Sequence, residues 1–228
     1  MDTRRRFSQL EGYTPDLGRA VVDPRPSATS DLLGVRRLKE SRKFWARWRV
    51  RLGYPVALIY WVLAAPTPRS ISIGAIIAAL GLLIRAASSG HLRKDEKLTT
   101  TGPYARTRNP LYLGSALLAA GFAIAGLSWI ASVVVMVYFA AFYYAVIRSE
   151  ERDLRERFGR SFDEYAARVP LFFPHLGRLP AEAVGTPREK AFSWAQYGRN
   201  REYQALIGTI AGLGSLWLRM WLRRRLGY

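Results

Sequence analysis

The sequence predicts an all-α membrane protein: a polytopic helix bundle with four spans and a fifth apolar C-terminal helix of uncertain path. Three observations carry this. First, half of the 228 residues are hydrophobic and the formal net charge is +18, yet mean hydropathy is near zero, so apolar and charged residues lie in separate blocks. Second, residues 111–147 contain no charged residue. As one helix they would be about 55 Å long at ~1.5 Å per residue, against a hydrocarbon core of about 30 Å. The run must fold back, and Gly126-Leu127-Ser128 is the natural hairpin. Third, arginines and lysines flank the apolar blocks, as in loops that stay cytoplasmic.

The same composition narrows the function classes. The chain has no cysteine and two histidines, His91 and His175, so disulfides, thiolate metal sites and cysteine nucleophiles are excluded and no metal site is expected. Basic residues border apolar runs instead of forming a patch on a soluble domain, which argues against nucleic acid as a partner. The first apolar run starts after residue 50, so no signal peptide is expected.

In chain order, residues 1–35 are polar and rich in turn formers and read as a mobile cytoplasmic tail. Residues 36–51 place Trp45 and Trp48 at helical spacing among arginines and lysines. That pattern suits an interfacial helix on anionic membrane lipids, and equally the basic flank of the first span. Residues 52–175 form the membrane core. Its first two spans, 52–68 and 70–84, are closed by Pro66 and Pro68 and by Arg85. The third and fourth are 110–126 and 127–147. Gly114, Ser115, Ala119, Ala120 and Gly121 give the third helix a small-residue surface for close packing. Tyr138, Phe139, Phe142, Tyr143 and Tyr144 give the fourth an aromatic cluster. Four spans with both chain ends cytoplasmic satisfy the charge pattern.

Residues 148–159 continue the fourth helix out of the membrane, with Gly159 as a C-terminal cap. Ile147, Glu151, Leu154 and Phe158 fall on one face, so Glu151 is an acid on an apolar stripe. It can pair with Arg155, four residues on, or serve a cationic ligand at a cavity mouth. Residues 160–174 read as a turn, a short helix and an aromatic segment bounded by prolines. Residues 176–228 comprise a linker, an interfacial helix over 191–203 and the last apolar helix. Arginines follow that helix, so a fifth crossing would place them outside, whereas a re-entrant or surface-lying path would not. Gly212 and Gly214 read as a packing surface within it.

The stretch GPYARTRNPLYLG, residues 102–114, joins a basic loop to the third helix. Asn109 can cap that helix and Pro110 fits its first position. Arg106 and Arg108 precede the helix start, where cations and backbone N–H groups suit a carboxylate or phosphate. A plain cytoplasmic loop marked by arginines is the alternative.

These residues, together with EERDLRERFGRSFDEYAARVPLFFP downstream, resemble the isoprenylcysteine carboxyl methyltransferase and phospholipid methyltransferase superfamily, over roughly residues 85–175. The resemblance rests on a combination: Gly-Pro-Tyr, Arg-x-Pro-x-Tyr-x-Gly, a transmembrane hairpin, Glu-Glu-x-x-Leu, Phe-Gly, Tyr165, Val169-Pro170 and Pro174. It implies an integral membrane enzyme using S-adenosylmethionine, multi-pass, with its active site facing the cytoplasm. Tyr104, Arg108, Pro110, Tyr112 and Gly114 would line the cofactor pocket from one side, and Glu150 and Glu151 from the other. Asn109 occupies a position where the family often has histidine, and Glu96 occupies another. Arg108 and Glu151 are the residues expected to carry the chemistry.

The chemistry is consistent with these residue types. Arg108 can hold the donor's carboxylate, Glu150 or Glu151 its ammonium or ribose hydroxyls, and Tyr104 and Tyr112 its sulfonium. The expected acceptor is a lipophilic molecule, an isoprenoid or lipid carboxylate or amine, entering from the bilayer. A carboxylate acceptor needs no base, whereas an amine must lose a proton, to Glu151 or Glu96. His91 is a minor candidate for a cofactor contact, and His175 reads as structural. Two other classes compete. A sterol-reductase-type enzyme would use Arg93, Lys94 and Lys97 for the 2′-phosphate of NADPH, against repulsion from Glu150 and Glu151. A non-catalytic membrane scaffold would leave Glu151 unexplained.

Overall fold

The computed structural model describes residue 48 and residues 51–93, 98–177 and 192–226. The tail, most of the basic segment 36–51, Lys94, Glu96, Lys97 and residues 178–191 lie outside them. No strand occurs among the described residues. The elements are α1 (Arg51–Leu63), α2 (Pro68–His91), a 3-10 turn (Gly102–Ala105), α3 (Pro110–Gly126), α4 (Trp129–Phe158), α5 (Arg160–Arg168), α6 (Trp194–Arg199) and α7 (Tyr203–Leu226). Among them α2, α4 and α7 are long and apolar enough to cross a membrane, while α1 and α3 are shorter apolar helices.

Local chemistry sets the helix ends. At α2, Thr67 and Ser70 form a reciprocal capping box, with Pro68 in the first turn, where its missing N–H costs nothing. The α3–α4 hairpin falls where the charge-free run required it. Leu127 takes the left-handed conformation (φ 46°) at the end of α3, and Ser128 caps α4 by accepting from Ala131 N at 3.4 Å. Gly159 ends α4 with φ 49°, the region glycine enters without a Cβ penalty.

The tightest contact in the bundle is between α2 and α3, and glycine makes it possible. Gly74 and Gly81 on α2 face Gly121 and Gly114 on α3, with the same seven-residue spacing on both helices. A Cβ on Gly81 would lie 2.6 Å from Gly114 O, and one on Gly121 would lie 2.6 Å from Gly74 O. The backbones are therefore closer than any side chain allows, and dispersion between them acts over the whole length. Ser70 Oγ reinforces the seam by donating to Ala125 O at 2.9 Å, and Tyr60 Oη ties α1 to α3 by donating to Phe122 O at 2.5 Å.

Two helix boundaries differ from the sequence expectation. α1 stops at Leu63 instead of reaching residue 68, because Pro66 and Pro68 remove donors and Ala65 N turns away to Gly126 O at 2.8 Å. α2 does not end before Arg85; it runs to His91. The arginine is accommodated inside the helix because Glu202, at the entry of α7, neutralises it. Arg85 Nε and Nη2 reach the two carboxylate oxygens at 2.7–3.0 Å, and Nη1 donates to Ser115 Oγ. At α6, Ser193 N bonds Gly90 O and Asn200 Nδ2 bonds Ser89 O, tying this short helix to the end of α2.

The path of α7 is defined by its two ends. Glu202 is held at Arg85, near the C-terminal end of α2. Arg219 Nε donates to Ala64 O at 2.8 Å, beyond the C-terminal end of α1. Between them Gly212 packs on the Phe122 ring, while Leu216 and Met220 join Tyr60, Ala64, Ile71 and Ala125 in a core cluster. α7 therefore runs the length of the bundle, antiparallel to α2, and ends opposite the start of α1, which departs from the expectation of four spans with both chain ends on one side. Of its glycines only Gly212 is a packing contact, since a Cβ on Gly214 would meet nothing within 4 Å.

This contrast generates a prediction. Gly81→Ala and Gly121→Ala should each cost about 1–3 kcal/mol, the range for overpacking a tight contact. Gly214→Ala should be neutral or stabilising by up to about 1 kcal/mol, through helix propensity. Thermal unfolding of the three variants in one detergent measures both.

Candidate functional site

The site forms where α3 begins and α4 leaves the apolar part of the bundle. Residues 106–109 are pinned by the aromatic segment after α5. Arg108 N donates to Pro170 O at 2.9 Å and His175 N to Arg106 O at 2.9 Å. Thr107 Oγ1 donates to Phe172 O at 2.8 Å, and Asn109 Nδ2 to Leu171 O at 3.0 Å. Thr107 and Pro110 are among the most completely buried side chains. Below the loop, Tyr165 Oη donates to Tyr104 O at 2.7 Å, and Phe162, Tyr165 and Val169 form a small core of their own.

This scaffold turns Arg108 toward α4. Its Nη1 lies 2.7 Å from Glu151 Oε1, with both side chains largely buried. Arg148 approaches the other carboxylate oxygen at 3.9 Å. Arg155, the i+4 partner expected for Glu151, instead pairs with Asp163 of α5 at 2.7 Å. Arg108 Nε and Glu151 Oε1 are both buried with no hydrogen-bond partner among the described residues, so the 2.7 Å contact is an ion pair without hydrogen-bond alignment. A buried cationic donor left open in this way is costly and fits the carboxylate of a ligand. One turn of α3 away, Tyr112 Oη donates to Glu150 Oε1 at 2.7 Å. The Tyr112 ring packs edge-on against Tyr143, with centroids 5.3 Å apart, and Tyr143 stacks on Phe139 at 4.1 Å.

The structure thus brings Arg108, Tyr112, Glu150 and Glu151 together, with Tyr104 buried nearby. It uses other site candidates differently. Asn109 sits at the N-cap position of α3 without a capping side-chain bond; its side chain is turned to the 170–175 segment, where Nδ2 donates to Leu171 O. The helix-start amides are also engaged, since Tyr112 N and Leu113 N both bond Asn109 O. Anion binding there would rest on the guanidinium more than on free N–H groups. Gly114 faces α2, where a Cβ would meet Gly81 O at 2.7 Å and Arg85 Cγ at 2.6 Å. His91 packs over Gly102, which takes φ +62° with the ring 2.5 Å from its Cβ position, and lies edge-on to Phe192. Sequence reasoning missed Arg85 and Glu202. Arg85 was visible as a lone charge inside an apolar stretch, but its partner lies 117 residues away.

An open cavity of about 340 Å³ lies beside this group, lined by Arg85, Ser115, Ala119, Tyr138, Phe139 and Tyr143 among others. Tyr143 is shared between the cavity and the Tyr112–Glu150 pair. Apolar helices long enough to cross a membrane, a buried ion pair where α4 leaves the apolar part and an aromatic cavity between the helices make up a polytopic membrane helix bundle.

Comparison with known proteins assigns that bundle. Residues 70–161 match the family model for phospholipid methyltransferase. The cobalt-zinc-cadmium resistance protein CzcN of Cupriavidus metallidurans is 32% identical over 152 residues, covering 64% of this chain and 70% of that protein. The nickel-cobalt-cadmium resistance protein NccN of Alcaligenes xylosoxydans xylosoxydans is 36% identical over 121 residues (49% and 56%). Protein-S-isoprenylcysteine O-methyltransferase B of Arabidopsis thaliana is 32% identical over 111 residues (46% and 56%). No solved structure matches. The chain belongs to the superfamily of isoprenylcysteine carboxyl and phospholipid methyltransferases.

Burial pushes the Tyr104 and Tyr165 hydroxyls well above the ordinary tyrosine range, with their mutual proximity adding for Tyr104 and Arg108 opposing for Tyr165. The folded state therefore keeps both protons after the unfolded chain has begun to lose them near pH 10. Stability is level below that pH and falls above it. Tyr165→Phe should cost about 1 kcal/mol at pH 8, one buried hydrogen bond, and should lessen the fall between pH 9 and 11. Melting temperatures across that range check both statements.

Proposed function

We propose that this chain transfers a methyl group from S-adenosylmethionine to a lipophilic acceptor, at the cytoplasmic ends of its membrane helices. The observation that carries the reading is the buried Arg108–Glu151 pair with Arg108 Nε left open. Membership of a methyltransferase superfamily supports it, and so does the aromatic cavity alongside. Cytoplasmic placement is part of this proposal and rests on the basic residues that flank the first four spans at this end, although the arginines that end α7 lie at the other.

The residues fit the cofactor's charges. Arg108 would take its carboxylate through the open Nε. Glu150 and Glu151 would take its ammonium or ribose hydroxyls, and the faces of Tyr104 and Tyr112 would border its sulfonium. When bound, the cofactor supplies a methyl group already activated on positive sulfur. The protein's task is then alignment in a water-poor site. The Arg108–Glu151 pair holds the loop before α3 against α4. Tyr112 fixes Glu150, and the Tyr112, Tyr143 and Phe139 rings would separate the cofactor from the acceptor. The cavity would take the acceptor's apolar portion. Its one cation, Arg85, is neutralised by Glu202, so the chamber carries no net charge at its wall. Volumes of ~300–1,000 Å³ are typical of small-ligand sites, and this cavity is at the small end. It suits one hydrocarbon chain.

Two relatives are named for metal resistance. Among the described residues, no group of three or more histidine, aspartate or glutamate side chains could hold a metal ion.

Membranes containing the protein, given S-adenosylmethionine labelled in its methyl group, should pass label into the organic-extractable fraction. Arg108→Gln and Glu151→Gln should each lower that transfer by at least about tenfold, the ~1.5–3 kcal/mol of a charge-assisted bond. Ala119→Phe, which fills the cavity, should lower transfer while leaving cofactor affinity unchanged. Full transfer in both charge variants would remove the assigned roles.

A further inference from the structure

At the end of the bundle opposite the ion pair, α1 finishes, α2 starts, α3 turns into α4, and α7 finishes. This end carries Arg69, Arg219, Arg223, Arg224 and Arg225, and no aspartate or glutamate among its described residues. Elsewhere in the bundle charges are paired: Arg85 with Glu202, Arg108 with Glu151, Arg155 with Asp163. Here no acidic side chain among the described residues pairs with the arginines.

The arginines are interleaved with indoles. Arg219 spans the gap to α1, donating to Ala64 O and Val62 O, and its guanidinium lies 4.8 Å from the Trp61 ring centroid. Arg225 lies 5.0 Å from that of Trp221. Trp129, Trp217 and Trp221 are exposed at the same end, 77%, 56% and 43% respectively, as are Arg69, Arg223, Arg224 and Arg225. Tryptophan favours the boundary between hydrocarbon and headgroups. Arginines next to it extend their heads into the headgroup layer while their stems cover apolar surface. Arg69, Arg223, Arg224 and Arg225 are the exposed cations of this end, and guanidinium groups suit phosphate oxygens through paired N–H donors.

We propose that this end of the bundle is a binding collar for anionic phospholipid headgroups, held in the leaflet opposite the ion-pair site by the crossing of α7. It is distinct from the basic segment 36–51, which belongs to the other end of the chain. The proposal is independent of methyl transfer.

The full-length protein in neutral detergent tests it. Added phosphatidylglycerol should raise the melting temperature more than phosphatidylcholine does, because a ligand that binds the folded state stabilises it by mass action. Replacing Arg223, Arg224 and Arg225 together with glutamine should remove more than half of that difference. Replacing them with lysine should retain most of it. A glutamine triple variant with the full difference, or a wild type that does not distinguish the two lipids, overturns the proposal. If the triple variant does not fold, Arg224→Gln and Arg225→Gln singly read the same difference: a reduced shift supports the collar, and an undiminished shift in both overturns it. Since the chain has no cysteine, Ser161→Cys and Leu226→Cys in sealed vesicles also report sidedness without background. Labelling from opposite sides is expected, and labelling from the same side contradicts the placement.

Discussion

The close approach of α2 and α3 is the constraint on which the other contacts depend. Four glycines at matched seven-residue spacing let the two backbones meet where no Cβ would fit. In a bilayer, lipid tails compete with side chains for apolar contact, so helix association relies on packing of this kind. One consequence is chemical. With the Arg85 stem pressed against Gly114, its head reaches Ser115 on α3 and Glu202 before α7. A single seam thereby sets the position of α3 and the attachment of α7.

From that seam the site is assembled by a second device, outside the spans. The segment 170–175 lies along residues 106–109 and satisfies their backbone and polar side chains from Arg106 to Asn109. A loop without such partners would leave Arg108 free to extend into solvent. Pinned on its backbone, Arg108 turns to Glu151, and the two charges share a largely buried environment. Isolating either would be costly, because removing one partner leaves an uncompensated buried charge. The ion pair, the unpartnered guanidinium N–H and the aromatic cavity thus lie next to one another.

The parts of this arrangement legible in the sequence were those encoded locally. The hairpin at 126–128 followed from the length of the uncharged run, and α3 from the proline at its start. Gly159 marked the end of α4, and Glu151 stood out as an acid on an apolar face. The site cluster Tyr104, Arg108, Tyr112, Glu150 and Glu151 came from motif resemblance, and the structure brings these residues together at one end of the bundle. What stayed hidden was pairing across long sequence distances. Arg85 looked like the end of a span because its partner was invisible. Glu151 had Arg155 as a local partner, but α5 captures Arg155 through Asp163. Asn109 occupies the cap position, but its side chain is oriented by the 170–175 segment and makes no capping bond. The path of α7 was ambiguous for the same reason: the arginines that argued against a crossing include Arg219, which is anchored to the end of α1.

The most direct test of the account is calorimetric titration of the detergent-purified protein with S-adenosylmethionine, with NADPH as a control, in wild type and Arg108→Gln. The account predicts micromolar binding of S-adenosylmethionine alone to the wild type and a loss of at least about tenfold in the variant. Equal affinity in the two proteins, or binding of NADPH in place of S-adenosylmethionine, would contradict it.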